Sequence, residues 1–90
     1  MKVTVEYDVE SNTLSLTSAD PEIDKVTVIR AVYDEDGALT GVRLYTAVFE
    51  NMSSEITDIT ISENEKIFVW RDFSDNNGGA MTPLSEVFML

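Results

Sequence analysis

The clearest pattern in the chain is an alternation of apolar and polar residues at every second position. In residues 2–9 the apolar side chains occupy odd-numbered positions, and in residues 13–18 Leu14 and Leu16 alternate with serine and threonine. A period of two is typical of a β-strand with one buried face. We therefore predict two strands, joined as a hairpin by the polar turn at residues 10–12.

Residues 26–49 hold the stretch around which we expect the fold to be organised. Strands are predicted over residues 25–34 and 38–50, joined by the turn at 34–37. The first of them is apolar on both parities, which is typical of a strand that is covered on both sides or central in a sheet. Arg30 interrupts one face, so that face must reach water or a carboxylate there.

The return strand keeps its apolar residues on one face only if one residue is absorbed near Gly41, so we predict a β-bulge at this position. The positions that then share a face are Leu39, Val42, Leu44, Thr46 and Val48.

Three further strands are predicted over residues 55–62, 66–72 and 84–90. The stretch 66–72 is again apolar on both parities, so we expect it to neighbour the first strand of the hairpin, with Tyr33 and Trp70 as core anchors. Seven short strands without a helical period predict an all-β fold, a seven-stranded antiparallel β-sandwich.

The charge balance narrows the classes of partner. Asp and Glu number 17 against 6 Lys and Arg, a formal net charge of −11. Phosphate backbones and anionic membranes repel such a surface, so we expect neither nucleic acid binding nor membrane association. No apolar run is long enough to span a bilayer. The chain has no cysteine or histidine, which removes the commonest nucleophiles, general bases and transition-metal ligands. We expect no enzyme activity and no cofactor.

The acidic turn at 34–37 is a candidate calcium site, with Asp34 and Asp36 as the candidate ligands. An EF-hand loop starting at Asp34 would place Leu39 where glycine is required and Tyr45 where a bidentate glutamate is required. The carboxylates are better explained as turn residues that bond to their own backbone. We therefore predict no metal site.

Three segments together resemble a known family. These segments are residues 31–39 (AVYDEDGAL), 68–72 (FVWRD) and 83–86 (PLSE). They are similar, in order and spacing, to segments of immunoglobulin-like or fibronectin type III-like modules in multi-domain surface and secreted proteins of clostridial-type Gram-positive bacteria. That family usually has Asp directly after the Trp, where this chain has Arg71, and its following loop is shorter. The likeness covers residues 26–90.

The resemblance implies an extracellular or cell-surface accessory module without catalytic residues. We expect residues 1–90 to be one domain, cut from a larger protein and near its C-terminus. The function predicted is that of a structural or interaction module, a spacer or adhesion domain. Its partners would be neighbouring domains of the same polypeptide, and protein or polysaccharide at the cell surface.

The alternative is a carbohydrate-binding module attached to a polysaccharide-active enzyme. Such a module needs exposed aromatic rings that stack on sugars, with carboxylates or amides nearby. The candidate residues are Tyr45, Phe49, Trp70 and Phe73, with Asp72, Asp75, Asn76 and Asn77. Against this alternative, aromatic residues make up only 9% of the chain, and we expect most of them in the core.

Overall fold

The computed structural model of the protein describes residues 2–71 and 83–90. Two three-stranded antiparallel sheets face each other across one apolar core, the arrangement of a β-sandwich. No helix in the described part of the chain is long and apolar enough to cross a membrane. The six strands are β1 (Val3–Asp8), β2 (Thr13–Ser18), β3 (Lys25–Tyr33), β4 (Leu39–Val48), β5 (Ser53–Ile56) and β6 (Glu65–Arg71).

The first sheet has the order β1-β2-β5. Its first two strands form the predicted hairpin, with Val5 opposite Leu16 and Tyr7 opposite Leu14. Because opposite residues of an antiparallel pair share a face, the odd positions of β1 and the even positions of β2 both point into the core. Leu14 and Leu16 are fully buried, which confirms the inward face predicted for them.

The second sheet has the order β4-β3-β6. Strand β3, which is apolar on both faces, was predicted to be either covered on both sides or central in a sheet, and it lies at the centre. Its pairing with β6 confirms the predicted neighbours. The register of β3 with β4 slips by one residue where Val32 faces Gly41 and Tyr33 faces Leu39, the position predicted for a bulge.

The β3–β4 turn shows why its residues are acidic and small. The Gly37 amide donates to the Asp34 carbonyl at 3.0 Å, and Gly37 has φ 83°, a conformation that glycine adopts at little cost. One carboxylate oxygen of Asp34 accepts from the amides of Asp36 and Ala38, each at 2.9 Å. The turn is therefore closed by Asp34 itself.

Two strand predictions need correction. The predicted fifth strand, 55–62, is wrong in its bounds because β5 covers Ser53–Ile56. Ile59 and Ile61 are buried as expected, but they lie outside any strand. They belong to residues 57–64, the connection between β5 and β6, which we name the crossing segment. The prediction of seven strands is also wrong, since the described residues form six.

The C-terminal segment, residues 83–90, lies beside β6 and replaces the predicted seventh strand. It meets β6 through isolated bridges, with Phe88 opposite Ile67 and Pro83 opposite Trp70. Leu84 connects the two sheets, because its amide donates to the Val69 carbonyl while its own carbonyl accepts from the Val3 amide, both at 2.8 Å.

The core is built almost entirely from aliphatic side chains. Phe49 is its one aromatic member among the described residues, at the rim of the cluster. The buried cluster comprises Val3, Leu14, Leu16, Val26, Val28, Ala47, Phe49, Ile59, Ile61, Ile67, Val69 and Leu84. Tyr33 and Trp70 are not in it, so their prediction as core anchors is wrong.

Candidate functional site

The two sheets differ sharply on the faces that they turn away from the core. The outer face of the β1-β2-β5 sheet is polar throughout, as the alternation predicts. Its residues are Thr4, Glu6, Asp8, Thr13, Ser15, Thr17, Ser53 and Glu55.

The outer face of the β4-β3-β6 sheet is apolar instead, and we name it the apolar face. The register of the three strands defines its members. They are Lys25, Thr27, Ile29, Ala31 and Tyr33 from β3, Leu39, Val42, Leu44, Thr46 and Val48 from β4, and Lys66, Phe68 and Trp70 from β6.

Strand β4 carries the most exposed part of the apolar face. Leu39, Val42, Leu44 and Val48 are between 52% and 60% exposed, although the same strand buries Ala47 on its other side. Single exposed aliphatic residues are ordinary on protein surfaces, but four on one strand face form a contiguous patch. Water is therefore in contact with a strip of leucine and valine side chains along β4.

Aromatic rings cover the other half of the apolar face. Phe68 and Trp70 are both half-buried and point to the same side of β6, about 7 Å apart along the strand since alternate residues share a face. Tyr33 is half-buried at one end, where the Lys66 amino group lies 5.0 Å from the centre of its ring. This cation–π contact keeps the lysine stem against the apolar face.

The apolar face holds no carboxylate among the described residues, although the chain carries 17 Asp and Glu. Its two charged members are both lysines, Lys25 and Lys66. With six basic residues in the whole chain, this is a strong segregation of charge. The acidic side chains keep the rest of the surface hydrated, and the apolar face lacks that protection.

The size of the apolar face sets what it can bind. Three strands spaced about 4.8 Å apart, the longest about 30 Å long, span on the order of 400 Å². This footprint, which includes the lysines and threonines of the face, is within the range of about 300–600 Å² for the largest apolar patch of a typical monomer, and such a patch often has a function. It is smaller than the roughly 800 Å² that each partner buries in a stable protein complex.

The residues predicted for metal and ligand binding do not come together. Asp34 and Asp36 lie in the turn described above, and no group of three or more acidic side chains within residues 2–71 and 83–90 is placed to hold a metal ion. Tyr45 lies on the core side of β4, opposite Val28, whereas Trp70 lies on the apolar face. These two rings are on opposite faces of one sheet and cannot form one sugar platform.

The remaining carbohydrate candidates add nothing to such a platform. Phe49 is buried in the core. The others, Asp72, Phe73, Asp75, Asn76 and Asn77, lie outside the described residues.

One ion pair lies on the core side of the same sheet. The Arg30 side chain donates from Nε to Glu65, and from Nη2 to the Thr60 carbonyl at 2.5 Å. Glu65, only 3% exposed, also accepts from the Ser62 amide at 2.6 Å. Of the two alternatives predicted for Arg30, water or a carboxylate, the structure shows a carboxylate. The pair fastens the crossing segment at residues 60–62 to the sheet.

The ionisation of this pair follows from its surroundings. Burial works to raise the pKa of Glu65, but the hydrogen bonds from Arg30 and the Ser62 amide outweigh it, so that the pKa lies below its ordinary value. The hydrogen bond to Glu65 raises the pKa of Arg30, although burial opposes this. Both groups are charged at neutral pH, and their contacts are those of a structural clamp.

The apolar face could not be identified from the sequence, because β3 and β6 are apolar on both faces. When both parities of a strand are apolar, periodicity cannot tell which face meets the core and which is left outside. Carboxylates do not distinguish the two faces of β3 and β4 either, since neither face of these strands carries Asp or Glu. The chain matches no protein-family model, no curated protein and no solved structure.

Proposed function

We propose that this protein is a non-catalytic interaction module of an extracellular bacterial multi-domain protein, and that it binds another protein surface through the apolar face. The observation that carries the proposal is the contrast between the two outer faces. One sheet is polar outside and obeys the usual alternation, and the other exposes leucine, valine and aromatic residues, with no carboxylate among those that the structure describes.

The order of the strands supports an immunoglobulin or fibronectin type III arrangement. In that fold strands A, B and E lie in one sheet and C, F and G in the other. Here β1, β2 and β5 correspond to A, B and E, while β3, β6 and the C-terminal segment correspond to C, F and G. Strand β4 then occupies the added position beside C. This order fits the resemblance carried by residues 31–39, 68–72 and 83–86.

The chemistry of the apolar face favours a protein partner over a polysaccharide. Sugars need hydrogen-bonding groups beside a stacking ring, and the strip along β4 offers aliphatic side chains. Aliphatic and aromatic side chains, a lysine at the margin and depletion of carboxylates are features of protein interface cores. We infer a partner surface that is apolar at its centre and carries a carboxylate where it meets Lys66.

The size of the apolar face predicts a weak interaction between separate molecules. About 400 Å² from one partner is small for an independent complex. It suits the contact between neighbouring domains of one polypeptide, where the connection raises the effective concentration. A neighbouring domain is therefore the partner that we propose.

Site-specific crosslinking tests this proposal. A photoreactive phenylalanine analogue replaces Leu44 on the apolar face or, as the matched control, Thr17 on the polar outer face. Each variant is irradiated within its natural polypeptide on intact cells. Crosslinked peptides are identified by mass spectrometry. Crosslinks from position 44 to one protein surface, and none from position 17, are expected.

The surface so identified is then purified and its affinity for the isolated module measured. Leu44→Lys should weaken binding about tenfold or more, as expected when a charge is placed in an apolar contact, whereas Thr17→Lys should leave it unchanged. Equal crosslinking from both positions would contradict the proposal. So would retardation of the module by a polysaccharide in affinity electrophoresis that Trp70→Ala abolishes, since this would favour the carbohydrate-binding alternative.

A further inference from the structure

A second surface lies at the free edge of the other sheet, away from the apolar face. Strand β1 is an edge strand, paired on one side with β2. The Ala19 amide donates to the Lys2 carbonyl, so residue 2 and the other even positions of β1 turn their backbone groups toward β2. The odd positions, Val3, Val5 and Tyr7, turn theirs toward the open edge.

Within residues 2–71 and 83–90, pairing on this edge is confined to its start. The Val3 amide donates to the Leu84 carbonyl at 2.8 Å, and beyond this bond the C-terminal segment leaves β1. No hydrogen bond joins the amides or carbonyls of Val5 and Tyr7 to another group of the described chain on the open side. A row of unpaired donors and acceptors with strand spacing is a template for one more strand.

The gap between β1 and the C-terminal segment is a groove of about 330 Å³. Its described lining is Val3, Thr4, Val5, Glu86, Val87 and Phe88. The side chains of Val5 and Phe88 in this lining are partly buried against the core, whereas most of the accessible surface of the groove is polar. The volume is at the lower end of the range of about 300–1,000 Å³ that is usual for ligand sites.

The far wall of the groove is the C-terminal segment, which bonds to β6 at Phe88. Phe88 exchanges both of its backbone hydrogen bonds with Ile67, each at 2.9 Å. Because neighbouring residues of an extended chain point their backbone groups in opposite directions, those of Val87 turn away from β6. The groove therefore lies between the open edge of β1 and the backbone of Val87.

We propose that the open edge of β1 binds an extended peptide segment as an additional strand, and that this segment alternates apolar with basic residues. The backbone of the segment pairs with Val5 and Tyr7, and its apolar side chains cover Val5 and Phe88. Its basic side chains meet Glu86 in the groove and Glu6 on the adjoining polar face. This site is distinct from the apolar face, and either surface can function without the other.

Amide exchange followed by NMR tests the proposal. The probe is the capped synthetic peptide Thr-Lys-Val-Lys-Val-Thr, and the control peptide has glutamate in place of both lysines. The lysine peptide should slow exchange at the amides of Val5 and Tyr7. Thr4 and Glu6 should change little, since β2 already pairs them. The glutamate peptide should bind about tenfold more weakly or not at all.

Two variants make the test specific. Val5→Pro removes one donor on the open edge, a place where a strand tolerates proline, and should weaken binding about fivefold or more. Glu86→Gln should weaken it about threefold, the value of one exposed ion pair, while Glu55→Gln on the far strand β5 should not. The Glu86 comparison and the exchange pattern remain informative if the proline variant folds poorly.

Three results would overturn the proposal. The first is no binding of the lysine peptide at millimolar concentration. The second is protection of β4 amides such as Leu44 in place of Val5 and Tyr7, which would assign the peptide to the free edge of β4. The third is equal binding of the two peptides. None of these results depends on whether the apolar face has a partner.

Discussion

Arg30 and Glu65 form an ion pair between neighbouring strands, on the core side of the sheet that carries the apolar face. The Glu65 side chain is 4% exposed and that of Arg30 is 20% exposed, so the carboxylate depends on the guanidinium for its charge balance. A buried pair of this kind is weak evidence of net stabilisation, but losing one member is expensive.

Replacing Arg30 should therefore be strongly destabilising. Arg30→Ala leaves the Glu65 carboxylate buried without its counter-charge and should lower the free energy of unfolding by about 3 kcal/mol, measured by urea denaturation. Arg43→Ala is the matched control, because Arg43 faces Arg30 in register but is exposed, and it should change stability by less than about 0.5 kcal/mol. The double variant Arg30→Met/Glu65→Leu should recover part of the loss. Equal effects of Arg30→Ala and Arg43→Ala would contradict this account.

The same pair predicts a dependence on pH. The pKa of Glu65 in the folded protein lies below the ordinary value of 4.5 that it has in the unfolded chain. On acidification the unfolded chain takes up the proton first, so the stabilisation is complete above about pH 4.5 and is lost as pH falls through the folded pKa. The stability advantage of the wild type over Glu65→Gln should shrink between pH 7 and about pH 3.

Comparison with Glu65→Gln is needed because acid also neutralises other carboxylates of the chain, which has 17 Asp and Glu including Glu65. Their protonation also relieves the repulsion from a net charge of −11, which acts in the opposite direction. The exposed Glu55→Gln serves as the control, because it removes one carboxylate and leaves the Arg30–Glu65 pair intact. An advantage over Glu65→Gln that grows on acidification would mean that burial outweighs the hydrogen bonds to Glu65.

The sequence alone predicted several parts of the fold correctly. The β1–β2 hairpin, the bulge beside Gly41, the acidic turn and the pairing of β3 with β6 all follow from parity, glycine placement and turn chemistry. The strand predicted over residues 55–62 was wrong in its bounds. An alternation of apolar and polar residues indicates which side chains are buried, but it does not show that the backbone pairs with another strand. Ile59 and Ile61 are buried although they lie in the crossing segment and not in a strand. The Ile59 amide donates to the Asn12 carbonyl, and the Ile61 amide donates to the Tyr7 hydroxyl.

The candidate site could not be predicted for a related reason. Tyr33 and Trp70 were assigned to the core because large aromatic residues are usually buried. In β3 and β6 the opposite parity holds smaller aliphatic residues such as Val28 and Val69, and these fill the space between the sheets. The choice between two apolar faces depends on how the sheets are stacked, and strand periodicity carries no information on stacking.

The Tyr7 hydroxyl should contribute measurably to stability. It donates to the Ile59 carbonyl at 2.9 Å, with Asn12 at 3.1 Å as an alternative acceptor, and it accepts from the Ile61 amide at 3.2 Å. These bonds connect β1 to the crossing segment. Tyr7→Phe keeps the ring but leaves the Ile61 amide without this acceptor, and should cost about 1–2 kcal/mol in urea denaturation.

Tyr33→Phe is the control for the loss of a tyrosine hydroxyl. Tyr33 is half-buried on the apolar face, and its described ring contact is with the Lys66 amino group, which a phenylalanine ring can keep. The change should be within about 0.5 kcal/mol. A loss from Tyr7→Phe no larger than that from Tyr33→Phe would show that the hydroxyl does not hold the crossing segment.

The connection between β4 and β5 contains backbone strain that one substitution should remove. Glu50 and Ser53 exchange backbone hydrogen bonds at 2.9 and 3.1 Å, so Asn51 and Met52 are the two central residues of a tight hairpin turn. Both have positive φ, 53° and 66°, as a type I′ turn requires. Asparagine adopts this conformation readily, but methionine at the second position does so at a cost of about 1 kcal/mol.

Met52→Gly should therefore stabilise the protein by about 1 kcal/mol, because Asn-Gly is the preferred sequence of this turn and the glycine has no side chain to strain it. Met52→Ala is the matched control: it also removes the partly exposed methionine side chain, but it keeps a Cβ at the strained position, so it should not stabilise. Urea denaturation of the three proteins decides between strain and side-chain packing. If the packing of Met52 were the larger effect, both substitutions would destabilise, and glycine would be the worse of the two.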